Sequence, residues 1–365
     1  MAKVNRTPIV TDDLDELIGS VVANVNKNLK NEDVRVTVGD DDEEYGQSVP
    51  YWVRTYIPQL DYAVGGMNHP GFPGARITEI FGGEGSGKST MAVWLAKQCI
   101  EQLNTFVIYQ DAENVLTKEI IRGTGLNMKR VILQNPETIE EVFQTQEATL
   151  EILDKKTDKR PVATVVDSVA ACPTQVEIDA DYGDSTMATQ ARAMSTAMKK
   201  IKSNILRNQV LSIFVNQIRD KMNVSWGKNY TTSGGRALPF YASVRIEMAR
   251  TSYVEKNGKK TGGVFKATII KNKVAPPMRT AEFQIDFIED EKNGVSYPQI
   301  NIWKALLDWC KEHKLLEGSQ GRVVLNGKSM YISQAVEVLQ QDEDLFNEIV
   351  ELAYSVSASG DDDEE

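Results

Sequence analysis

Residues 77–90 read Ile-Thr-Glu-Ile-Phe-Gly-Gly-Glu-Gly-Ser-Gly-Lys-Ser-Thr. The apolar run 77–81 predicts a short buried strand, and the stretch 91–103 can continue as a helix. Between them, residues 82–89 match the pattern Gly-x-x-x-x-Gly-Lys-[Ser/Thr]. Its glycines let the backbone curl, so that successive N–H groups converge on phosphate oxygens. A strand, this loop and a helix together predict a phosphate-binding site in an α/β fold.

The side chains of the loop indicate its ligand. Lys88 is placed to reach the β- and γ-phosphates of ATP, and the Ser89 hydroxyl is a candidate ligand of Mg²⁺. Asp167 ends a second apolar run, 162–166, and is the carboxylate expected near the magnesium ion. The candidate nucleotide-binding residues are therefore Gly82, Gly83, Glu84, Gly85, Ser86, Gly87, Lys88, Ser89, Thr90 and Asp167, with Ser89 and Asp167 as metal ligands.

A candidate base follows another predicted strand, 106–109. The sequence Asp111-Ala112-Glu113 comes directly after it. Ligands of open α/β sheets bind at the carboxyl ends of the strands, where these carboxylates are expected. Hydrolysis needs a group that orients and deprotonates water, and Glu113 is the candidate. A surface acid on a loop is the alternative that the residues alone leave open.

The remaining pattern alternates strands with helices. Further apolar, β-branched runs at 211–216 and 243–248 predict strands, and helices are expected after Lys88, over 137–153 and over 187–206. Runs without polar alternation are typical of strands that are buried on both faces. We therefore expect an α/β core with a central, mostly parallel twisted sheet, spanning residues 51–295.

Residues 1–50 are expected to form an N-terminal helical arm with an acidic linker. Apolar residues recur at helical spacing between 13 and 30, and the polar stretch 31–48 includes the acidic run 40–44. The apolar stripe of this helix must be buried, either on its own core or on a neighbouring subunit.

A small C-terminal α/β domain is predicted over residues 296–356. Here the pattern changes to short helices with one hairpin, 322–331, which turns at Asn326-Gly327. The last residues, 357–365, end in Asp-Asp-Asp-Glu-Glu and predict a solvated acidic tail.

The charge distribution points to a polyanionic partner. The net charge of the chain is −11, but 18 Lys or Arg residues and only three acidic ones lie between Arg192 and Arg279. Such an asymmetry indicates a binding surface for nucleic acid. A solvated surface balanced by acidic neighbours is the alternative.

Other features narrow the class of protein. The three cysteines, Cys99, Cys172 and Cys310, are far apart and are expected to be buried, reduced thiols. No apolar run approaches the ~20 residues that span a bilayer, and the first residues lack a signal peptide. We therefore expect a cytoplasmic protein without a membrane partner.

Several stretches together resemble the bacterial RecA family over roughly residues 53–354. They are the stretch 77–90, Asp-Ala-Glu at 111–113, Val-Val-Asp-Ser-Val-Ala-Ala at 165–171, Phe-Val-Asn-Gln-Ile-Arg at 214–219, Thr-Thr-Ser-Gly-Gly-Arg-Ala-Leu-Pro-Phe-Tyr-Ala-Ser-Val-Arg at 231–245, and Lys-Asn-Lys at 271–273. The combination is far more specific than the phosphate loop alone. It implies a DNA-dependent ATPase that forms filaments on single-stranded DNA and exchanges strands with a homologous duplex. It also makes the helical arm in residues 1–50 a polymerisation arm.

The resemblance also assigns roles to residues of the nucleotide site. It makes Glu113 the catalytic base and Gln217 the side chain that senses the γ-phosphate and relays it to a DNA-binding loop. It implies that Lys271 and Lys273 reach a neighbouring subunit's ATP, as an arginine finger does. Taken alone, two lysines on one face of a strand would be interpreted as a solvated pair.

Two DNA loops are implied. The first, 177–187, places Met187 between bases, with Arg192 and Lys199 on the helix that follows. The second, 218–236, is basic and contains an aromatic residue, which suits a single-stranded backbone and its bases. Its candidate DNA-binding residues are Arg219, Lys221, Trp226, Lys228, Ser233, Gly234, Gly235 and Arg236. Expected partners are single- and double-stranded DNA, further copies of the chain, and single-strand-binding and mediator proteins.

The chain departs from the family pattern at some positions. Pro239 stands where a lysine is usual, and Ile120 stands where an aromatic side chain commonly stacks on adenine. The stretch 31–48 is longer and more acidic than in typical members. These differences suit a divergent or phage-encoded relative.

Three other functions share some of these features. A RecA-fold helicase or motor also needs the phosphate loop, but lacks the 231–241 and 271–273 segments in this arrangement. A regulatory RecA-like protein or recombination mediator would bind ATP without exchanging strands, against which the intact Glu113 and basic loop argue. A metabolic kinase would need an acceptor pocket and a lid, and the sequence indicates neither.

Overall fold

A computed structural model describes residues 14–28, 49–155, 160–181, 188–220, 230–290 and 295–356. The chain divides into two units, residues 1–48 and 49–365. In the first unit, helix α1 spans Leu14–Asn28. Its apolar residues recur at helical spacing, which confirms the helix expected between 13 and 30. The acidic linker expected at 31–48 lies outside the described residues.

The second unit contains the strands and the remaining helices. Its strands are β1 Trp52–Val53, β2 Phe72–Pro73, β3 Ile77–Gly82, β4 Val107–Asp111, β5 Val131–Gln134, β6 Val162–Asp167, β7 Val210–Asp220, β8 Tyr230–Thr232, β9 Val244–Lys256, β10 Lys259–Asn272, β11 Thr280–Asp290, β12 Val295–Ile300, β13 Arg322–Leu325 and β14 Lys328–Tyr331. Its α-helices are α2 Pro58–Gly65, α3 Lys88–Leu103, α4 Lys118–Thr124, α5 Ile139–Asp154, α6 Gln175–Asp179, α7 Thr189–Arg207, α8 Ala237–Tyr241, α9 Ile302–Glu312, α10 Ile332–Gln341 and α11 Glu343–Ala353. A short 3₁₀ helix occupies Met128–Arg130.

Ten of these strands form one sheet in the order β12-β11-β10-β9-β3-β7-β6-β4-β5, with β8 paired to β7. The pairings from β9 through β3, β7, β6 and β4 to β5 are parallel. The pairings from β9 to β12 are antiparallel, because consecutive strands there are joined directly. The predicted α/β class with a mostly parallel central sheet is confirmed.

Apolar cores cover both faces of the parallel strands. Met91 and Leu95 of α3 belong to one buried cluster, and Ile201 of α7 belongs to the other. Successive side chains of a strand point to opposite faces, so Val165 joins the first cluster and Val166 the second. Because both faces are covered, these strands are rich in apolar residues, and this is the pattern that identifies them in the sequence, although buried polar side chains such as Glu79 interrupt it.

The predicted strands and helices of the core are all present, most with small shifts of their ends. The largest difference is β9, which was expected to end at Met248 and continues to Lys256. Its outer part pairs only with β10, in a hairpin beyond the parallel strands, and most of its side chains there are exposed. An exposed hairpin needs no apolar run, so nothing in the composition marked this extension.

The C-terminal part has its own apolar core. Leu306 and Trp309 of α9, Leu339 of α10 and Ile349 of α11 pack together, and Tyr62 of α2 joins them. The hairpin predicted at 322–331 is present as β13 and β14. Asn326 and Gly327 at its turn have φ values of 50° and 72°, the left-handed conformation that a tight hairpin turn requires.

The boundary expected at residue 296 falls inside β12, which pairs with β11 in the large sheet. The antiparallel edge of the sheet therefore continues to Ile300, and we propose that the C-terminal domain begins near Asn301. The three cysteines are buried and free, as expected. Among the helices described, none is long and apolar enough to cross a bilayer.

Candidate active site

The phosphate loop connects β3 to α3 as the sequence predicts. Gly87 immediately precedes α3 and has φ 82°, a left-handed conformation that disfavours other residues. A side chain at Gly82 would place its Cβ 2.1 Å from the backbone oxygen of Met248 on β9, so only glycine fits. The loop backbone is also held from outside, because Arg250 Nη1 donates a 3.2 Å hydrogen bond to the oxygen of Gly85. Sequence reasoning had missed Arg250.

Lys88 lies within the curve of this loop. Its Nζ donates to the backbone oxygen of Gly83 at 2.6 Å and to Ser86 Oγ at 3.4 Å. The side chain is buried, which lowers the pKa of its ammonium, while Glu113 and other acids oppose that shift. An ammonium whose hydrogen bonds go to neutral oxygens is well suited to exchange one of them for an anionic phosphate oxygen, because charged partners form stronger hydrogen bonds.

Asp167 and Ser89 fit a magnesium ion. Asp167 ends β6, is fully buried and accepts a 3.0 Å hydrogen bond from Tyr109 on Oδ2. Its Oδ1 has no partner among the described residues. Burial raises the pKa of this carboxyl to about 7, and the hydrogen bond from Tyr109 opposes the shift. A buried carboxylate with an unsatisfied oxygen beside a hydroxyl is a donor set suited to a divalent cation.

Glu113 lies beside this carboxylate because β4 and β6 are neighbours, with Asp111 opposite Asp167. The backbone oxygen of Asp167 accepts hydrogen bonds from the N–H groups of Ala112 at 2.8 Å and Glu113 at 3.3 Å. The Glu113 side chain accepts hydrogen bonds on Oε1 from Ser168 Oγ and from Gln217 Nε2, the latter at 2.7 Å. The candidate base, metal ligand and phosphate sensor are thus brought together from three strands.

Gln217 also begins the segment that leads to the second candidate DNA loop. The segment returns through β8, where Ile218 pairs with Thr232. The preceding Asn216 donates to the backbone oxygen of Ser233 at 3.1 Å and to Glu79 Oε1 at 3.0 Å. Both ends of the loop are therefore anchored to the sheet close to Gln217.

The described DNA-binding candidates lie on α7 and at the two ends of the second loop, and among them Ser233 and Gly234 are buried. Arg192, Lys199, Arg219 and Arg236 are exposed. Gly235 approaches α7 so closely that a Cβ there would lie 2.8 Å from Ala191, which places the 233–236 segment against the start of that helix. The candidates Met187, Lys221, Trp226 and Lys228 lie outside the described residues.

Lys271 and Lys273 differ in their surroundings. Lys271 Nζ donates to the backbone oxygens of Pro239 at 2.6 Å and Phe240 at 2.8 Å. Burial, with Lys273 and Arg245 nearby, lowers its pKa to about 8. Lys273 is exposed and follows the end of β10, whose register shifts between Ile269 and Lys271. The regular alternation of side chains along β10 is therefore interrupted just before Lys271.

This arrangement defines a class of protein. A phosphate loop between a central parallel strand and its helix, with a buried carboxylate at the end of β6, is typical of P-loop nucleoside triphosphatases. A family model described as the RecA N-terminal domain matches residues 17–292. Protein RecA of Francisella tularensis subsp. novicida (strain U112) is 36% identical over 275 residues, covering 75% of this chain and 71% of that protein. Protein RecA of Francisella tularensis subsp. tularensis (strain WY96-3418) gives the same figures.

The chain belongs to the RecA family. Membership supports ATP binding, ATP hydrolysis and DNA binding at the level of the family, and the sheet described above is a RecA-type α/β core.

Proposed function

We propose that this chain is a DNA-dependent ATPase that forms helical filaments on single-stranded DNA and catalyses homologous pairing and strand exchange in the cytoplasm. The observation that carries the proposal is the hydrogen bond from Gln217 to Glu113. It joins the strand that leads into the basic loop to the candidate base beside the phosphate loop. Through this bond, occupancy of the nucleotide site and the position of the DNA loop can each affect the other.

The proposed reaction is the hydrolysis of ATP. Backbone N–H groups of the phosphate loop and Lys88 bind the phosphates of the substrate. Ser89 and Asp167 would hold Mg²⁺, which neutralises charge on the β- and γ-phosphate oxygens when bound. Glu113 accepts a proton from water as the water oxygen bonds to the γ-phosphorus. The bond from that phosphorus to the bridging oxygen breaks, and ADP leaves with its electron pair.

The proposed DNA site uses both loops. Arg192, Lys199, Arg219 and Arg236 contact phosphates, and the N–H groups of Gly234 and Gly235 can do the same. The Ser233 N–H already donates to the backbone oxygen of Gln217 at 3.3 Å, so Ser233 contributes by fixing the base of the loop. Outside the described residues, Lys221 and Lys228 add positive charge, Trp226 stacks on a base and Met187 inserts between bases. The positive charge between Arg192 and Arg279 supports this assignment.

Filament formation is proposed to complete the ATPase site. Lys271 and Lys273 of one subunit would stabilise the charge that develops on the neighbour's ATP phosphates. The arm formed by residues 1–50, which contains α1, is the expected contact between subunits. Hydrolysis would then need assembled subunits, and assembly would need DNA.

A strand-exchange assay tests the proposal. The protein is incubated with circular single-stranded DNA, homologous linear duplex and Mg²⁺-ATP, and joint molecules and nicked circles are measured beside ATP turnover with and without DNA. Exchange and DNA-stimulated turnover are expected, and both should be lost in Lys88→Ala. DNA-stimulated turnover without joint molecules, in reactions where filaments are seen, would instead indicate a motor or regulatory ATPase.

A further inference from the structure

Glu113 Oε1 accepts two hydrogen bonds, and the side chains that donate them differ in how freely they can move. Ser168, which donates through Oγ, has no exposed surface. Gln217, which donates through Nε2, is exposed. The serine can therefore change its position only with its surroundings, whereas the glutamine can rotate away. Both bonds end on the same oxygen, so within the described part of the chain Oε2 is the one left to accept a proton.

The backbone fixes Ser168 relative to the rest of the site. It directly follows Asp167, whose backbone oxygen holds the N–H groups of Ala112 and Glu113. Its own backbone oxygen accepts a 3.1 Å hydrogen bond from Ala171. Glu113 is thus attached to the end of β6 at two points, by its main chain through Asp167 and by its carboxylate through Ser168.

We propose that Ser168 is a positioning residue for ATP hydrolysis. Its hydroxyl holds Oε1 of Glu113, so that Oε2 takes the proton from water. It continues to hold the carboxylate when Gln217 leaves Glu113 for the γ-phosphate. This inference rests on the proposed function, because it requires Glu113 to be the base.

The hydrogen bond matters because a base must lie within hydrogen-bond reach of the proton it removes. A glutamate side chain has several rotatable bonds, and an error of about 1 Å in position can reduce a rate by up to ~10²-fold. When Gln217 turns to the phosphate, the hydrogen bond from the Ser168 hydroxyl to this carboxylate remains. Ser168 is therefore the group that determines the geometry of the base during turnover.

A matched control lies on β6, the strand that ends one residue before Ser168. Thr164 is buried like Ser168, and its Oγ1 shares a 2.9 Å hydrogen bond with Ser212 Oγ. It makes no recorded contact with Glu113. Thr164→Val removes a buried hydroxyl from β6 but no hydrogen bond to Glu113. It therefore measures how far the loss of a buried hydroxyl by itself lowers turnover.

The test compares DNA-stimulated ATP turnover of the full chain and of its variants, with oligo-dT as the DNA. Ser168→Ala should lower kcat by ~10-fold or more, with the Kd for Mg²⁺-ATP changed less than about twofold. Ser168→Cys, which retains a weak donor, should recover part of that loss. Thr164→Val should keep a normal kcat even if it lowers the melting temperature.

Combination with Glu113→Gln separates this inference from the proposed function. Once the base is gone its position no longer matters, so Ser168→Ala should cause no further loss in single-turnover hydrolysis. An additive loss overturns the inference, as does normal kcat in Ser168→Ala when Glu113→Gln is inactive. If Ser168→Ala does not fold at the assay temperature, a normal kcat in Ser168→Cys overturns it, because the thiol is a weaker donor than the hydroxyl. Normal turnover in Glu113→Gln overturns the role of the base itself.

Discussion

Lys271 Nζ donates a 2.6 Å hydrogen bond to the backbone oxygen of Pro239, 32 residues away in the same chain. A second bond, to the oxygen of Phe240, fixes the ammonium at the end of α8, where the last carbonyls of a helix favour a cation. To act on a neighbour's ATP, this lysine must exchange two carbonyl oxygens for a phosphate. The exchange is favourable because charged partners form stronger hydrogen bonds than neutral ones.

Complementation between inactive variants checks the proposed action in trans. Lys271→Ala combined with Lys273→Ala should leave ATP binding by isolated subunits nearly intact but abolish DNA-dependent hydrolysis. Mixed with Glu113→Gln protein, the double variant should regain activity, because some interfaces then pair an intact base with intact lysines. Co-assembly of the two proteins without turnover at any mixing ratio would show that the lysines act elsewhere.

Lys88→Ala should weaken ATP binding at least tenfold, since a charged hydrogen bond is worth about 1.5–3 kcal/mol and no other cation occupies the loop curve in the described chain. Isothermal titration with Mg²⁺-ATP measures this. Lys97→Ala is the control, because Lys97 lies on the same helix and pairs with Glu101 on the surface. Equal affinity in the Lys88 and Lys97 variants would contradict the assignment of the phosphate loop.

Glu113→Gln should retain ATP binding and lower DNA-stimulated hydrolysis by ~10²-fold or more, because an amide cannot accept the proton. DNA affinity should persist or increase, since ATP stays bound. Turnover by phosphate release and DNA binding by fluorescence anisotropy check both parts. Glu119→Gln is the control, because it removes the same charge from a different place, the first turn of α4, which is away from the phosphate loop.

Removal of residues 361–365 should raise the affinity for DNA. Five acidic residues on the same chain compete with DNA phosphates for basic side chains at a high effective concentration. The gain should be greatest at low salt, where screening is weakest. Binding curves across a salt series measure it, and identical curves for the two proteins would leave the tail with no role beyond solubility.

Asp61 predicts a pH dependence of stability. Its fully buried carboxylate accepts hydrogen bonds from Thr55 N–H, Thr55 Oγ1 and Tyr354, yet burial raises its pKa from 3.8 to about 7. The folded chain then holds this proton more tightly than the unfolded chain. The contribution of Asp61 to the free energy of unfolding should therefore fall as the pH rises from about 4 to about 7.

Urea unfolding at several pH values checks the Asp61 prediction. Asp61→Asn should remove this slope relative to the unaltered protein, whereas Asp308→Asn, which disrupts an exposed ion pair with Lys304, should keep it. Parallel slopes in the Asp61 variant and the unaltered protein would show that this carboxyl does not titrate between the two states.

The sequence by itself determined the phosphate loop, the α/β class and most of the core strands. These features are local: the loop is a contiguous pattern of glycines with Lys88 and Ser89, and the central strands are rich in apolar residues because both of their faces are buried. The turn at Asn326-Gly327 was predictable for the same reason, since its conformation depends on those two residues.

Only the tertiary structure decided which side chains meet. Ser168 is 55 residues from Glu113, and Gln217 is 104 residues from it, yet both donate to one oxygen because β6 and β7 lie side by side, with β4 next to β6. Strand β12 pairs with the large sheet, although the sequence pattern places it in the C-terminal domain. Which strand it pairs with depends on a distant partner, and the hydrophobic pattern of β12 itself does not reveal that partner. Hydrogen bonds between distant residues follow from strand order, which local composition does not encode.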